Sequence, residues 1–327
     1  MKKKVMSAIL ATTMALSLAT PIGAVNVFAE KEDSGAKKFA HISLEVSFSA
    51  CQLMITGMND KLRDGDTLEL YNYELDDNKF MEMMDQIVGM DYDGVIIYAK
   101  DGELGGEAAN MCKDAGIPAT AIDIACEPVD GLVGYSFGSD YGLGYNAGVA
   151  LMDGMKEKNG SLDCNMLIVC RDTDTVGAQR LEGFMASVSE HPEMNLVYNI
   201  MEEWSTDSVL GPIENTLAAH PEIDCIWAPN SQVAAAAVQV LEEMGKTEDV
   251  LVVSGECSLW VKEQIEEGTI YAGIDSRPYD MGAKCMDMLY DYLDGVEFDP
   301  DQNLDSIIIT ADNIDESNTW KQEEKLQ

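Results

Sequence analysis

Short apolar runs alternate along this chain with longer stretches in which apolar residues recur every three or four positions. The clearest instance is DGVIIYAKDGELGGEAANMCKDAGIPATAID, from Asp93 to Asp123. Val95, Ile96 and Ile97 form a continuous apolar run, which suits a strand buried on both faces of a parallel sheet. Leu104, Ala108, Met111, Cys112 and Ala115 follow at helical spacing and define one apolar stripe. Gly116 then supplies a helix stop, Pro118 discourages continuation, and Ala119 to Ile122 reads as a second strand. A strand, a helix and a strand within about 30 residues make a βαβ unit with a right-handed crossover. Tyr98, Lys100 and Asp123 fall just after the carboxyl ends of its strands, the edge at which open α/β sheets bind ligands.

The same alternation extends in both directions. Upstream, it predicts a strand from His41 to Val46, an exit at Ser47, Phe48 and Ser49, and a helix through about residue 63. Thr67 to Leu75 alternates as a strand, and Asp77 can cap a helix whose face carries Phe80, Met84, Ile87 and Val88. Downstream, Leu132 to Phe137 is a short strand, with Gly138 and Ser139 leading into a helix. The pattern then restarts, predicting a second lobe of similar build. Its strands are Met166–Cys170, Met194–Met201, Ile223–Ala228, Val250–Val253 and Ile270–Ile274. Its helices are 176–190, one opening at Thr206 or Asp207 and ending near His220, one capped by Ser231 and running through Met244, and Leu259–Glu267. Pro278 sits near the start of a last long helix, Ile307 to Ile309 form a final strand, and residues 315–327 read as a polar, frayed tail. Strand and helix alternate about ten times, which makes the class α/β with parallel sheets in two Rossmann-like lobes.

Composition changes this picture in three ways. The length of 327 residues suffices for two domains, and 46% apolar residues argues for globular packing against disorder. A net charge of −38 removes the basic stripes that phosphate backbones require, so nucleic acid is not expected as a partner. The first 29 residues read as a signal peptide: Lys2, Lys3 and Lys4, an apolar core from Val5 to Ala19, and a small-x-small site at Val27-Phe28-Ala29. Export is therefore expected, to the periplasm, cell surface or medium. The region at Leu18-Ala19-Thr20-Pro21 holds no lipobox cysteine, and the earliest cysteine is Cys51, so release rather than lipid anchoring is expected. No later apolar run approaches the ~18 residues of a membrane span. The eight cysteines are irregularly spaced with no C-x-x-C pair, and they read as mostly reduced structural residues without zinc or redox chemistry.

Enzymatic readings find little support. His41, His191 and His220 are scattered, no G-x-S-x-G or phosphate loop occurs, and among 59 acids any carboxylate pair is uninformative. No catalytic residue, metal site or cofactor is expected.

Several motifs in order carry a resemblance: DGVII followed by AGIPATAID, then SDYGLGYNAG, GAQRLEGF, WAPNSQVAAAA, VVSGE and GIDSRPYDMGAK. Over about residues 39–311 the chain resembles the type 1 periplasmic binding proteins, in particular the ribose- and galactose-binding branch of sugar transporters. The resemblance implies two lobes joined by a three-segment hinge with crossings near residues 140, 276 and 303. It places 39–140 and 277–302 in an N-terminal lobe, and 141–276 and 303–314 in a C-terminal lobe. Ligand would be enclosed between them, with closure as a population shift and a membrane ABC permease as partner. It also implies site roles for Asp123 and Asn230 in hydrogen bonding to sugar hydroxyls, with Glu256 in place of the family's usual aspartate. The chain departs from the family at Ile124, Ala178 and Ser276. These departures remove charged bidentate hydrogen bonds and count against a simple pentose or hexose.

Beside the resemblance, position along the chain supplies the other candidates and their alternatives. Asp123 is a ligand carboxylate or the cap of the next turn; Asn230 a ligand amide or a helix-start residue; Glu256 a ligand group or a solvated acid. Tyr98 and Lys100 leave the third strand, and Lys100 equally suits surface charge. Phe48 stacks on a ligand or joins local core. Trp204 and Trp260 follow strands as aromatic platforms, whereas Trp227 suits core. Arg171 offers a replacement for a lost arginine, Arg180 a structural ion pair, Arg277 a hinge or cleft contact, and Asp275 closes the set. The reading is a monomeric solute-binding protein that delivers a small polar ligand, such as a sugar or polyol, to an ABC importer. The alternative is a sensory module presenting ligand to a receptor kinase or chemoreceptor.

Overall fold

Strands buried on both faces need helices on both sides of the sheet, and that requirement shapes the whole molecule. The computed structural model describes residues 35–124 and 132–326. The expected signal segment 1–29 and Cys126 lie outside the described residues. The chain begins with β1 (Lys38–Ser43), α1 (Ser49–Asp60), β2 (Thr67–Asn72), α2 (Asp77–Val88), β3 (Gly94–Ile97), α3 (Gly102–Ala115), β4 (Ala119–Ile122) and β5 (Leu132–Gly138). It continues with α4 (Asp140–Asn159), β6 (Cys164–Val169), α5 (Thr175–Val188), β7 (Met194–Ile200), α6 (Thr206–Ala219) and β8 (Cys225–Ala228). Then come α7 (Ser231–Met244), β9 (Leu251–Ser254), α8 (Leu259–Glu267), β10 (Ala272–Asp275) and α9 (Pro278–Asp294). The last elements are β11 (Asp301–Leu304), β12 (Ile307–Ile309), a 3-10 turn (Ile314–Glu316) and α10 (Thr319–Leu326).

Among the described residues the strands form two six-stranded sheets, ordered β11-β5-β4-β3-β1-β2 and β12-β10-β9-β8-β6-β7. All pairings are parallel except β10 with β12. The class is thus α/β as expected. The chain leaves the first sheet after Gly138, returns to it after Asp275, and crosses again between Leu304 and Ile307. The described residues from Ala36 onward form one compact unit. Helices α1 and α9 cover one face of the first sheet, α2 and α3 the other. In the second sheet α4 and α5 cover one face, with α6, α7 and α8 opposite.

Helix ends follow local chemistry. Gly116, Gly160, Gly245, Gly268 and Gly295 close α3, α4, α7, α8 and α9 in the left-handed conformation that a Cβ disfavours. The cap of α2 is Asp76 rather than the expected Asp77, and its carboxylate accepts the Asn78 and Lys79 N–H groups. The first strand lies three residues earlier than the expected His41–Val46. Beyond Ser43 the backbone leaves the ladder, with Leu44 O accepting from Leu75 N (3.2 Å) and Val46 N donating to Asn72 Oδ1 (3.3 Å).

Two departures are larger. β11 carries little apolar sequence (DQNL) and gives no strand signal, yet it adds to the edge of the first sheet beside β5. The tail expected to fray is instead a docked helix: Trp320 is 2% exposed and packs with Cys257 and Ile309. The seven described cysteines are buried and unpaired.

Candidate functional site

The carboxyl ends of both sheets face a cleft of about 590 Å³. Its walls are mostly helix N-termini, which follow strand ends in this architecture. Ser49, Gln52 and Leu53 come from the start of α1, Ser231 and Gln232 from the start of α7, and Trp260 from the first turn of α8. Glu256 and Asp275 also border the space.

Asp123 directly follows β4 with φ of 67°, a left-handed backbone uncommon for a residue other than glycine. Its carboxylate accepts the Tyr98 hydroxyl, which arrives from the end of β3. Burial pushes the Asp123 carboxyl up and nearby Asp140 adds to this, while the Tyr98 hydrogen bond and the Arg180 charge oppose it. Burial and the Asp123 charge push the Tyr98 phenol well up, so it stays a donor at ordinary pH. With the Tyr98 proton spent on Asp123, the pair presents acceptor oxygens.

In the second sheet's half, Arg180 of α5 holds several groups together. Its Nε donates to Asp140 Oδ1 (2.8 Å), one terminal nitrogen donates to the Pro229 carbonyl (2.8 Å), and that nitrogen lies 3.5 Å from Glu256 Oε1. Burial lowers the Arg180 pKa, but the Asp140 and Glu256 charges outweigh it and the group is held above its ordinary range. The Trp204 ring lies 5.3 Å from the Arg171 guanidinium and 5.5 Å from that of Arg180. The indole Nε1 has no protein partner.

The structure places the remaining candidates differently from one another. Glu256 borders the cleft and accepts the Ser231 N–H (3.3 Å) at the start of α7. Trp260 lines it, and Phe48 stands just before the α1 wall, 48% exposed. Arg171 is engaged by Asp174 (2.6 Å) and Glu203. Lys100 pairs with Asp77 at the start of α2 (2.7 Å). Asp275 borders the space, but its oxygens accept Ser317 Oγ (2.5 Å), Thr319 Oγ1 (2.7 Å) and Arg277 N (2.8 Å).

Asn230, not the expected Ser231, caps α7. Its Oδ1 accepts the Val233 N–H (2.9 Å) and its Nδ2 donates to the Trp204 carbonyl (3.3 Å). Asn230→Ala should therefore cost about 1 kcal/mol of stability. Asn230→Asp keeps the capping oxygen and should retain most of it. Calorimetric unfolding of both variants checks this, and equal losses would remove the capping role.

Sequence reasoning missed Ser49, Gln52 and Thr206, along with Thr319 and Glu323 from the tail. The first three were accessible to a rule that looks for polar residues at helix starts after strand ends; the tail pair had no such signal. Among the described residues no cluster of three or more His, Cys, Asp or Glu is arranged to hold a metal ion.

A family model for the periplasmic binding protein domain matches residues 47–297. The D-apiose import binding protein of Actinobacillus succinogenes is 26% identical over 204 residues, covering 62% of this chain and 64% of that protein. The ribose import binding protein RbsB of Salmonella typhimurium is 26% identical over 201 residues, covering 62% and 66% respectively. The matched regions thus span just under two thirds of those relatives' own lengths. A solved periplasmic solute-binding protein of an ABC transporter from Actinobacillus succinogenes, with bound D-allose, superposes with a TM-score of 0.74 at 20% identity. That superposition covers 86% of this chain and 100% of the other.

Proposed function

This chain belongs to the periplasmic binding protein domain family, and from that premise we propose that it captures a neutral, hydroxylated small molecule, a sugar or polyol, between its two sheets. Delivery to an ABC permease, by a monomer acting outside the cytoplasm, completes the reading. Lys2 to Lys4 and the apolar stretch that follows support export. Members of the family bind solutes rather than transform them.

One observation carries the proposal. Ser49, Gln52 and Leu53 of α1, which covers the first sheet, and Glu256 and Trp260 from the second sheet's half line one cleft, and the Tyr98–Asp123 pair stands at the first sheet's carboxyl edge. A ligand touching both edges stabilises their approach, whereas one touching a single edge has no such preference. The charge balance points away from an anionic ligand. Glu256 already serves the N-terminus of α7, and Glu323 accepts the Leu259 N–H at the start of α8. The anion-attracting ends of these two helices are therefore already occupied by carboxylates.

A thermal-shift screen with D-ribose, D-apiose, D-allose and polyols tests the class. Ligand at 100 times Kd adds about 2.7 kcal/mol of stability. If no compound in that set stabilises the protein, the sugar reading fails. For a compound that does, Asp123→Ala should weaken binding about 10- to 150-fold, since a hydrogen bond to a charged group contributes about 1.5–3 kcal/mol. Unchanged affinity by calorimetric titration would remove Asp123 from the site.

A further inference from the structure

We propose that the C-terminal helix α10 is a strap that ties the two halves of the molecule across the cleft and limits how far they open. Three consecutive residues before and at its start straddle the crossing from β10 to α9. Ser317 Oγ and Thr319 Oγ1 donate to the two Asp275 oxygens at the end of β10, on the second sheet (2.5 and 2.7 Å). Between them, Asn318 Nδ2 donates to Asp280 Oδ1 in the first turn of α9, which covers the first sheet (3.3 Å). The crossing itself is pinned inside this arrangement. Arg277 sits in the left-handed region at φ of 62°, donates its N–H to Asp275 and its Nε to Asp280 (2.9 Å). The helix then packs against α8 on one side and α1 and α9 on the other. Thr319 and Glu323 are thereby held in the cleft wall.

The two attachments are unequal. On the second-sheet side Trp320 is buried, Glu323 holds the Leu259 N–H, and the buried Asp275 carboxylate takes two of its three donors from the strap. Stripping those donors leaves a buried charge poorly satisfied, so this side holds firmly. On the first-sheet side the named tie is one exposed hydrogen bond at 3.3 Å together with surface packing. Opening therefore has to break the contacts of α10 with α1 and α9 while α10 stays on the second sheet, and that cost is what restrains it. That weaker contact favours the approached arrangement before any ligand is present.

The strap needs no ligand for its test, so its failure and the failure of the sugar reading are separable. Two variants are compared with the full chain: one ending at Glu316, and Trp320→Ala, which keeps the chain length should the truncation fold poorly. Small-angle scattering of ligand-free protein reads the opening. Thiol reactivity reads undocking, because Cys257 is 4% exposed beside Trp320. The proposal expects one additional reactive thiol, unchanged far-ultraviolet circular dichroism outside the lost helix, and an upward shift in radius of gyration and maximum dimension. An unchanged scattering curve in a variant whose Cys257 has become reactive overturns it.

Discussion

Gly282→Val is expected to destabilise the protein by about 3 kcal/mol or more, at or beyond the upper end of ordinary overpacking. Helices α1 and α9 cross at two glycines. A Cβ built on Gly282 would lie 1.9 Å from Met54 O, and one built on Gly57 would lie 2.0 Å from Tyr279 O. Both obstacles are backbone atoms, so no side chain can swing aside; the helices must separate. Separation exposes Met54, Met58, Cys285 and Met286, which are buried in the core they share. It also moves Ser49, Gln52 and Leu53, because α1 carries that part of the cleft wall. Chemical denaturation of the variant should show a much lower midpoint, together with loss of any ligand response. The control is Gly211→Ala in α6, where an added Cβ meets nothing within 4 Å. A midpoint for Gly282→Val close to that of the control would mean that the crossing is not tight.

The second large effect is pH-dependent and centres on His41. The imidazole is fully buried on β1; its Nδ1 donates to the Ile96 carbonyl (3.1 Å) and its Nε2 has no partner. Burial lowers its pKa from 6.5 to about 4, with the Ile96 hydrogen bond opposing the shift. Between those values the unfolded chain binds a proton that the folded chain refuses. Stability is therefore full above about pH 6.5, falls as pH drops toward 4, and loses no more through this group below that. The gap corresponds to about 3 kcal/mol at the low-pH limit. Carboxylates whose pKa is raised by burial, Asp123 and Glu323, act in the opposite sense over part of this range. The diagnostic quantity is accordingly the difference between wild type and His41→Gln. That difference should shift steadily in favour of the variant as pH falls from 7 to 4. Parallel melting profiles over that range would show that His41 does not govern the acid limb.

The pattern of apolar runs determined the elements of this protein because each run has one physical solution. Gly94–Ile97 and Ala119–Ile122 are buried at every position, as continuous apolar strands between helix layers must be. Gly116 ends α3 in the left-handed conformation that the sequence indicated, and Leu104, Ala108 and Cys112 face the core. The strand ends also pointed to Glu256 and Trp260, which border the cleft, because in parallel α/β architecture the carboxyl edge is where such clefts form.

What the sequence left undecided are pairings between distant residues. The sequence offers Asp275 as a ligand carboxylate but gives no sign that Ser317 and Thr319, about forty positions later, donate to its oxygens. Nor does the sequence show that Lys100 pairs with Asp77, or that Asn230 caps α7 and holds the Trp204 carbonyl. β11 has a polar sequence and becomes a strand only because the β5 edge offers it partners. α10 is eight residues long and polar, too short to hold a helix in water by its own propensity. Burial of Trp320 against Cys257 and Ile309 supplies the stability, so that helix belongs to the tertiary structure alone.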